Sequence, residues 1–183
     1  LTSLDVTYYN TANAESMSEM FAGCSGLTTI DVSNFKTNTV EYMDGMFAGC
    51  SGLTTIDVSN FVTKNVESMD HMFSGCSKLT SINVSNFNTK KVKSMKGMFE
   101  NCSSLTSLNI SSFNMSSLGE SGIYVEGEEE DVEINPCENM LANCSGLTKI
   151  TAPSNVKKVI KLPISSGYVW TDMNNKKCET LTQ

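Results

Sequence analysis

The chain has 183 residues, a formal net charge of −7 and a pI near 4.7, with 39% hydrophobic residues. This length allows one domain with a buried core, and the acidic balance argues against the nucleic-acid-binding proteins, whose surfaces need a basic stripe. No run of 18 apolar residues occurs, so no segment is predicted to insert into a membrane.

The sequence repeats itself every 26 residues. Met20–Phe35 and Met46–Phe61 both read MFAGCSGLTTIDVSNF, and Met72–Phe87 and Met98–Phe113 are close variants. Self-similarity at such a period is typical of a solenoid, in which each repeat is one coil. Because Leu1 falls in the middle of a repeat, we expect the natural chain to extend further toward its N-terminus, and the absence of a signal peptide is then uninformative.

The coils can be placed in chain order. Residues 1–19 are the second half of a coil, and the full coils are 20–45, 46–71 and 72–97, followed by a coil that opens at Met98 and continues to Leu118. The pattern resumes at Ile134, and the last coil covers 140–162. We therefore predict two parts: a solenoid over 1–162, with an insertion at 119–133, and a C-terminal cap over 163–183.

Each coil is predicted to contain a short strand and a short helix. The alternation at Ile56, Asp57 and Val58 is typical of a strand. One face of a helix is indicated by apolar side chains at i, i+3, i+6 and i+7, namely Val66, Met69, Met72 and Phe73. Gly75 suits a left-handed position after that helix. Parallel strands about 4.8 Å apart over six coils would give a sheet on the order of 30 Å wide.

The large apolar side chains recur in columns, one residue per coil. All eight phenylalanines occupy two columns, which are 21, 47, 73, 99 and 35, 61, 87, 113. Eight of the eleven methionines occupy two more, which are 17, 43, 69, 95 and 20, 46, 72, 98. This periodicity predicts core rather than a methionine-rich binding surface. Two polar columns are expected to satisfy backbone groups in the turns: Asn34, Asn60 and Asn86, and Thr11, Thr37, Thr63 and Thr89.

The cysteines follow the same period. Cys24, Cys50, Cys76 and Cys102 lie 26 residues apart, and Cys144 joins their column after the insertion. We predict a ladder of buried thiols, since disulfides between coils would need side chains that turn toward each other. A soft-metal site of Cys and Met ligands is the alternative. In the tail, Cys178 could pair with Cys144 or Cys137.

The pattern L-x-x-I-x-V, preceded by M-F-x-G-C-S-x, resembles the leucine-rich repeats of BspA-like bacterial surface proteins. The resemblance covers residues 1–118 and 134–153. It implies an α/β fold, a leucine-rich repeat solenoid with a right-handed β-α superhelix, a parallel sheet on one face and short helices on the other. It also implies display outside the cell and a role in adhesion or host interaction. No catalytic residues come with the family.

Little in the chain points to catalysis or metal binding. The single histidine, His71, shares its column with Glu19, Gly45 and Gly97, so we interpret it as an exposed surface residue rather than a ligand or base. Without a second histidine, a catalytic nucleophile system or a zinc site has little support. We predict no enzyme, no metal and no cofactor.

Polar side chains lie between the core positions of the predicted strands. They are Thr28, Asp31, Thr54, Asp57, Thr80, Asn83, Thr106 and Asn109. In leucine-rich repeats such positions point out of the sheet, so they could hydrogen-bond a glycan or an extended protein. The alternative is that a solvated sheet must show polar residues somewhere. No aromatic residue is interspersed, which weakens a sugar-stacking site.

The insertion is the sharpest departure from the repeat. Its flanks predict a hairpin, and its tip is crowded by carboxylates, including Glu128, Glu129, Glu130 and Asp131. Clustered carboxylates can hold Ca²⁺, but the spaced ligands of a known calcium loop are absent. A solvated acidic tip and a docking site for a basic partner are the other interpretations.

The outer face and the tail complete the chain. The charge of this outer face changes from acidic in the second and third coils, with Glu41 and Asp70, to basic in the fourth, at Lys90–Lys96.

In the tail, Val159–Leu162 and Tyr168–Thr171 are predicted to be strands. We expect Trp170 to lie over the last coil as part of a cap, with a Trp-based binding site as the alternative.

We predict a recognition or adhesion module at the cell surface or outside the cell. It would be a monomer that binds a protein or glycan ligand, and it would neither bind nucleic acid nor insert into a membrane through this segment. Two alternatives stay open: a structural spacer or stalk of a larger surface protein, and a solenoid domain of a larger enzyme whose chemistry lies elsewhere.

Overall fold

Successive coils are joined by backbone hydrogen bonds between residues about one repeat apart. The computed structural model describes residues 2–119, 135–154, 160–162 and 180–181. The N–H of Phe21 donates to the carbonyl of Met46 (2.9 Å), and Phe47 donates to Met72 in the same way (2.9 Å). Phe99 continues the series across the insertion by donating to Met140 (3.0 Å). The predicted solenoid is therefore confirmed, while the hand of its superhelix stays a prediction.

The opposite side of each coil bonds in the reverse direction. There the N–H of Thr54 donates back to the carbonyl of Thr28 (3.2 Å), and Thr80 donates back to Thr54 (3.4 Å). The first side also contains backward donors, since the N–H of Glu67 donates to the carbonyl of Glu41 (2.8 Å), so each coil is bonded to both of its neighbours. Because few buried backbone groups can be left unpaired, this arrangement fixes the register between neighbouring coils.

Regular strands are short and lie late in the chain. Strand β1 (Ser107–Asn109) pairs in parallel with β2 (Lys149–Thr151), and β3 (Ile160–Lys161) pairs antiparallel with β4 (Thr180–Leu181). In the earlier described coils the predicted strand positions form no regular strand. Parallel pairing recurs instead on the other side of the coil, where Ser16, Tyr42, Ser68 and Ser94 pair in order. The predicted parallel pairing is therefore present, but the described residues do not form one continuous sheet over six coils.

The predicted short helices are also not found in the described residues. Turns replace them over 70–75 and at the equivalent positions of other coils, and Ser68, just before these turns, forms a parallel bridge. Two residues of this segment have positive φ, His71 (55°) and Gly75 (75°). A right-handed helix cannot continue through left-handed residues, so the N–H groups of His71 and Phe73 bond to the next coil instead of to their own turn.

The core is a stack of identical side chains. The rings of Phe21, Phe47, Phe73 and Phe99 lie 5.4, 5.6 and 5.7 Å apart in succession, with interplanar angles of 18°, 4° and 7°. The predicted phenylalanine columns are fully buried, and so are the methionine columns apart from Met20, which is 38% exposed. Burial of one such ring contributes about 1.5–3 kcal/mol, so the repeated core stabilises every coil in the same way.

The predicted asparagine and threonine ladders are confirmed. Asn60 Nδ2 donates to the carbonyls of Val32 (2.9 Å) and Phe35 (3.2 Å) in the preceding coil. Thr63 is buried, and its hydroxyl donates to the carbonyl of Asn88 (3.1 Å) while accepting the N–H of the same residue (2.7 Å). These side chains satisfy backbone hydrogen-bonding groups in the turns of each coil.

Part of the tail follows the prediction. The expected strand Val159–Leu162 appears as β3, and its antiparallel partner β4 was not predicted. The predicted strand Tyr168–Thr171, Trp170 and the acidic tip lie outside the described residues. The division into a solenoid over 1–162 and a cap over 163–183 stays a prediction.

Candidate functional site

The polar side chains between core positions form one exposed surface, which we call the polar face. It comprises three columns. The threonine column is Thr28, Thr54, Thr80, Thr106 and Thr148; the hydroxyl column is Thr29, Thr55, Ser81 and Ser107; and the Asx column is Asp31, Asp57, Asn83 and Asn109. All of these residues are exposed, including the eight predicted from sequence. The solenoid brings the eight together on one side, as expected.

The threonine column is largely engaged by the scaffold. The hydroxyl of Thr54 donates to the carbonyl of Thr28 (3.3 Å), and that of Thr106 donates to the carbonyl of Thr80 (3.4 Å). Thr148 repeats the contact with the carbonyl of Thr106 (3.2 Å). These hydroxyls reinforce the backbone bonds between coils, so they are partly occupied before any ligand arrives.

The Asx column is held by local turns. Asp31 Oδ1 accepts the N–H of Ser33 (2.9 Å), and Asp57 Oδ1 accepts that of Ser59 (2.9 Å). Asn83 Oδ1 likewise accepts the N–H of Ser85 (3.1 Å). Hydrogen bonds from the Ser33 and Ser59 side chains, and then from their N–H groups, hold the pKa of the two Asp carboxyls below the usual value. The carboxylates are therefore ionised, exposed and fixed in orientation.

The hydroxyl column was not singled out from the sequence. None of its four hydroxyls forms a hydrogen bond within the described part of the chain, although neighbouring polar side chains do. Thr55, for example, lies between Thr54, which bonds backward, and the turn at Asp57. The recurring doublet Thr-Thr or Thr-Ser after each column leucine is the sequence signal that could have identified it. These hydroxyls are free to bind a ligand.

A second set of polar groups lies on the opposite side of the coil, which we call the turn side (residues 41–50, 67–76, 93–102 and their counterparts). Asp44 accepts the Ser68 hydroxyl and the N–H of Asp70, the latter at 3.0 Å. Asp70 in turn accepts the Ser94 hydroxyl (2.5 Å) and the N–H of Lys96 (2.7 Å). Burial raises the pKa of Asp70, opposed by the hydrogen bonds from Ser94 and Lys96. This row joins coils and is not available to a ligand.

The predicted surface position of His71 is confirmed. Its side chain is 51% exposed, with Nδ1 3.6 Å from Glu100 Oε2. The left-handed backbone conformation of His71 was not predicted from the sequence. Gly45 and Gly97 in the same column could have indicated it, because glycine is common at such positions, and both have positive φ. The described residues contain no cluster of three or more His, Cys, Asp or Glu side chains suited to a metal ion.

The buried-thiol prediction is confirmed for Cys50, Cys76, Cys102 and Cys144, whereas Cys24 is only half-buried. Cys50 Sγ donates to the carbonyl of Phe21 (3.1 Å), and Cys76 Sγ donates to that of Phe47 (3.3 Å). Burial raises the pKa of Cys50 to about 11 and that of Cys76 to about 12. Thiols held in the protonated form are poor nucleophiles and poor metal ligands. Cys178, and with it the predicted pairing in the tail, lies outside the described residues.

Comparison with protein families gives one match. The family described as "Mycoplasma protein of unknown function, DUF285" matches residues 2–78 and 53–121. The chain belongs to the DUF285 family. The matched ranges contain the polar face from Thr28 to Asn109 and end at the insertion. Because DUF285 is described as being of unknown function, membership assigns neither an activity nor a ligand.

Two further comparisons were made. Among solved structures, the crystal structure of the T. pallidum leucine-rich repeat protein (TpLRR) is similar with a TM-score of 0.42 and 16% identity, over 81% of this chain and 64% of that one. The DUF285 chain thus spans less than two thirds of that protein. The fold described above rests on its own hydrogen bonds and not on this likeness. No curated protein matches the chain. The described residues also contain no helix long and apolar enough to cross a membrane.

Proposed function

We propose that this DUF285 chain is a non-enzymatic recognition module that binds an extended protein segment or a glycan along its polar face. One observation carries the proposal. Thr29, Thr55, Ser81 and Ser107 repeat in four successive coils and are exposed, and their hydroxyls form no hydrogen bond within the described residues. Most other polar columns of the described coils serve the scaffold.

The hydroxyl column lies beside carboxylates and amides whose orientation is already fixed. Asp57 is held by the N–H of Ser59, and Asn109 by that of Ser111 (3.1 Å). Ordering a rotamer-rich side chain at an interface costs about 0.5–1.5 kcal/mol, and short, pre-held side chains avoid most of that cost. An extended ligand along the solenoid axis would meet one hydroxyl and one Asx side chain in each coil.

The cellular setting of the proposal comes from sequence resemblance. The repeat resembles BspA-like surface proteins, and membership of DUF285 supports that resemblance at the level of a repeat protein. We therefore propose an extracellular or cell-surface module, monomeric and without a cofactor. Its ligand would be a host or neighbouring-cell protein or glycan, and this segment would neither bind nucleic acid nor insert into a membrane.

A binding screen tests the proposal. The purified chain is applied to matrix proteins and to a glycan array, together with a variant in which Thr29, Thr55, Ser81 and Ser107 are all replaced by Ala. A matched control carries Asn13→Ala and Asn38→Ala, two exposed positions outside the polar face. We expect the first variant to weaken binding by about tenfold or more, which is about 1.4 kcal/mol, while the control binds as the wild type does.

Two results would overturn the proposal. If the hydroxyl-column variant bound every identified ligand as tightly as the wild type, the polar face would not be the site. If no matrix protein or glycan bound the wild-type chain, the structural spacer would replace recognition as the better account of the segment.

A further inference from the structure

We infer that a second surface of this chain, separate from the polar face, binds a polyanionic polysaccharide. Three exposed lysines form this surface, which we call the lysine patch: Lys64, Lys90 and Lys91. They lie at the corner of the coil that follows the buried threonine ladder. The inference is independent of the proposed function, because it concerns different residues and a ligand that is recognised by its negative charge.

The architecture holds the patch in place. Lys64 and Lys90 occupy the same position in successive coils, so their backbones lie about 4.8 Å apart. The turn that carries each is closed by a backbone hydrogen bond, from Val66 to Thr63 and from Val92 to Thr89 (3.0 Å each). The two lysines are thus presented side by side by a rigid corner.

The third lysine is positioned by the neighbouring coil. Lys91 Nζ donates to Asn65 Oδ1 (3.0 Å), which keeps its charge next to the turn of Lys64. The backbone of Lys90 is fixed as well, because its N–H donates to Asn88 Oδ1 (3.1 Å). The cations therefore share one corner of two adjacent coils instead of being spread over the surface.

No acidic group neutralises this corner within the described part of the chain. The ion pairs of the described residues are Lys93 with Glu67 (2.7 Å), Lys96 with Glu138 (3.5 Å) and His71 with Glu100 (3.6 Å), and none of them involves the lysine patch. Two like charges 4 Å apart repel by about 1 kcal/mol in water. A protein with a net charge of −7 that gathers three lysines at one corner, none of them ion-paired among the described residues, presents a local site for an anion.

The surroundings of the patch favour a polysaccharide over other polyanions. The large exposed apolar residues are Tyr8, Tyr9, Met20, Tyr42 and Val62 in the described chain, and only Val62 belongs to the same coil corner. One exposed valine is little apolar surface with which to enter a lipid layer, and none of these exposed aromatic side chains lies at the corner to stack on nucleobases. Amides and hydroxyls lie in the adjoining positions, at Asn65, Asn88 and Ser117. Sulfate or carboxylate groups on a polyhydroxylated polymer match both features.

Heparin is a suitable probe, with affinity measured by calorimetry or by elution from a heparin column. The test variant replaces Lys64, Lys90 and Lys91 by Ser. Serine fits the backbone there, because Ser116 and Ser117 occupy the positions equivalent to Lys90 and Lys91 in the next coil. The control replaces Lys78, Lys149 and Lys161, three exposed lysines elsewhere, by Ser and changes the net charge equally.

We expect the wild type and the control to bind heparin alike, and the patch variant to bind about tenfold or more weakly. Binding should weaken as salt rises, since the Debye length falls from about 10 Å at 0.1 M to about 3 Å at 1 M. The hydroxyl-column variant should keep full heparin affinity, which separates this inference from the proposed function.

Three outcomes would overturn the inference. The first is absence of heparin binding by the wild type at low salt, and the second is equal binding by the patch variant. The third is tighter binding to vesicles of anionic phospholipid, or to nucleic acid, that is lost in the patch variant, because the ligand would then belong to another class.

Discussion

The polar face and the turn side carry the same kinds of side chain at the same interval, yet they use them differently. On the turn side, Asp70 and Ser94 point toward a neighbouring coil and hydrogen-bond each other. On the polar face, the Asx column bonds only within its own turn, and the hydroxyl column has no partner among the described residues. Identical chemistry therefore builds the scaffold on one side and is left for a ligand on the other.

Both sides depend on the shared core, so its removal should have the largest effect. Phe73 lies between Phe47 and Phe99, with ring centroids 5.6 and 5.7 Å away. We expect Phe73→Ala to lower the free energy of unfolding by about 3–5 kcal/mol, measured by urea denaturation. The control Val62→Ala, at a 38% exposed position, should change little. A loss below about 1 kcal/mol for Phe73→Ala would contradict a core packed at native density.

The difference between structural and free hydroxyls can be measured directly. Thr63→Val leaves both the N–H and the carbonyl of Asn88 without their side-chain partner, and we expect a loss of about 1–3 kcal/mol in unfolding free energy. Thr55→Val removes a hydroxyl that has no partner in the described chain, and its effect should stay within about 0.5 kcal/mol. Equal losses of unfolding free energy in the two variants would contradict the claim that the Thr63 hydroxyl is structural and the Thr55 hydroxyl is free.

The left-handed turns of the turn side give a smaller effect. Gly75 has a φ of 75°, and Asn101 and Asn143 replace it in later coils with φ of 61° and 59°. We expect Gly75→Val to cost about 1–2 kcal/mol in thermal or urea unfolding because left-handed backbone is strained for a β-branched residue, whereas Gly75→Asn should cost clearly less. If valine were tolerated as well as asparagine, the conformation would not be what excludes a helix here.

The two aspartates differ in the sign of their pH dependence. Burial raises the pKa of Asp70, so the folded state binds its proton more readily and this contribution to stability is lost as pH rises through the folded pKa. The pKa of Asp57 is lowered by Ser59, so its contribution is present at neutral pH and lost as pH falls through the folded pKa.

Unfolding free energies measured from pH 3 to pH 7 test this contrast. We expect Asp70→Asn to gain stability relative to the wild type as pH rises, and Asp57→Asn to lose it. Matching pH profiles for the two variants would mean that both sides of the coil are equally solvated.

Much of the architecture could be predicted from the period alone. Identical residues in register must stack when coils stack, so the positions of Phe47, Cys50 and Asn60 follow from the repeat. The sequence likewise indicated which residues are exposed, including His71 and Thr54. It could not show that the Thr54 hydroxyl bonds to the carbonyl of Thr28 while that of Thr55 stays free, since this depends on the position of the preceding coil.

What the sequence by itself determined is the solenoid, its core columns and its turn-forming asparagines and threonines, because these follow from a 26-residue period and from side-chain size and polarity. The tertiary structure decided the local geometry of each coil. An apolar spacing that suits a helix also suits consecutive turns, and the choice depends on where each N–H finds its acceptor. At Phe47 and Phe73 the acceptor is a carbonyl of the next coil, so no helix forms there.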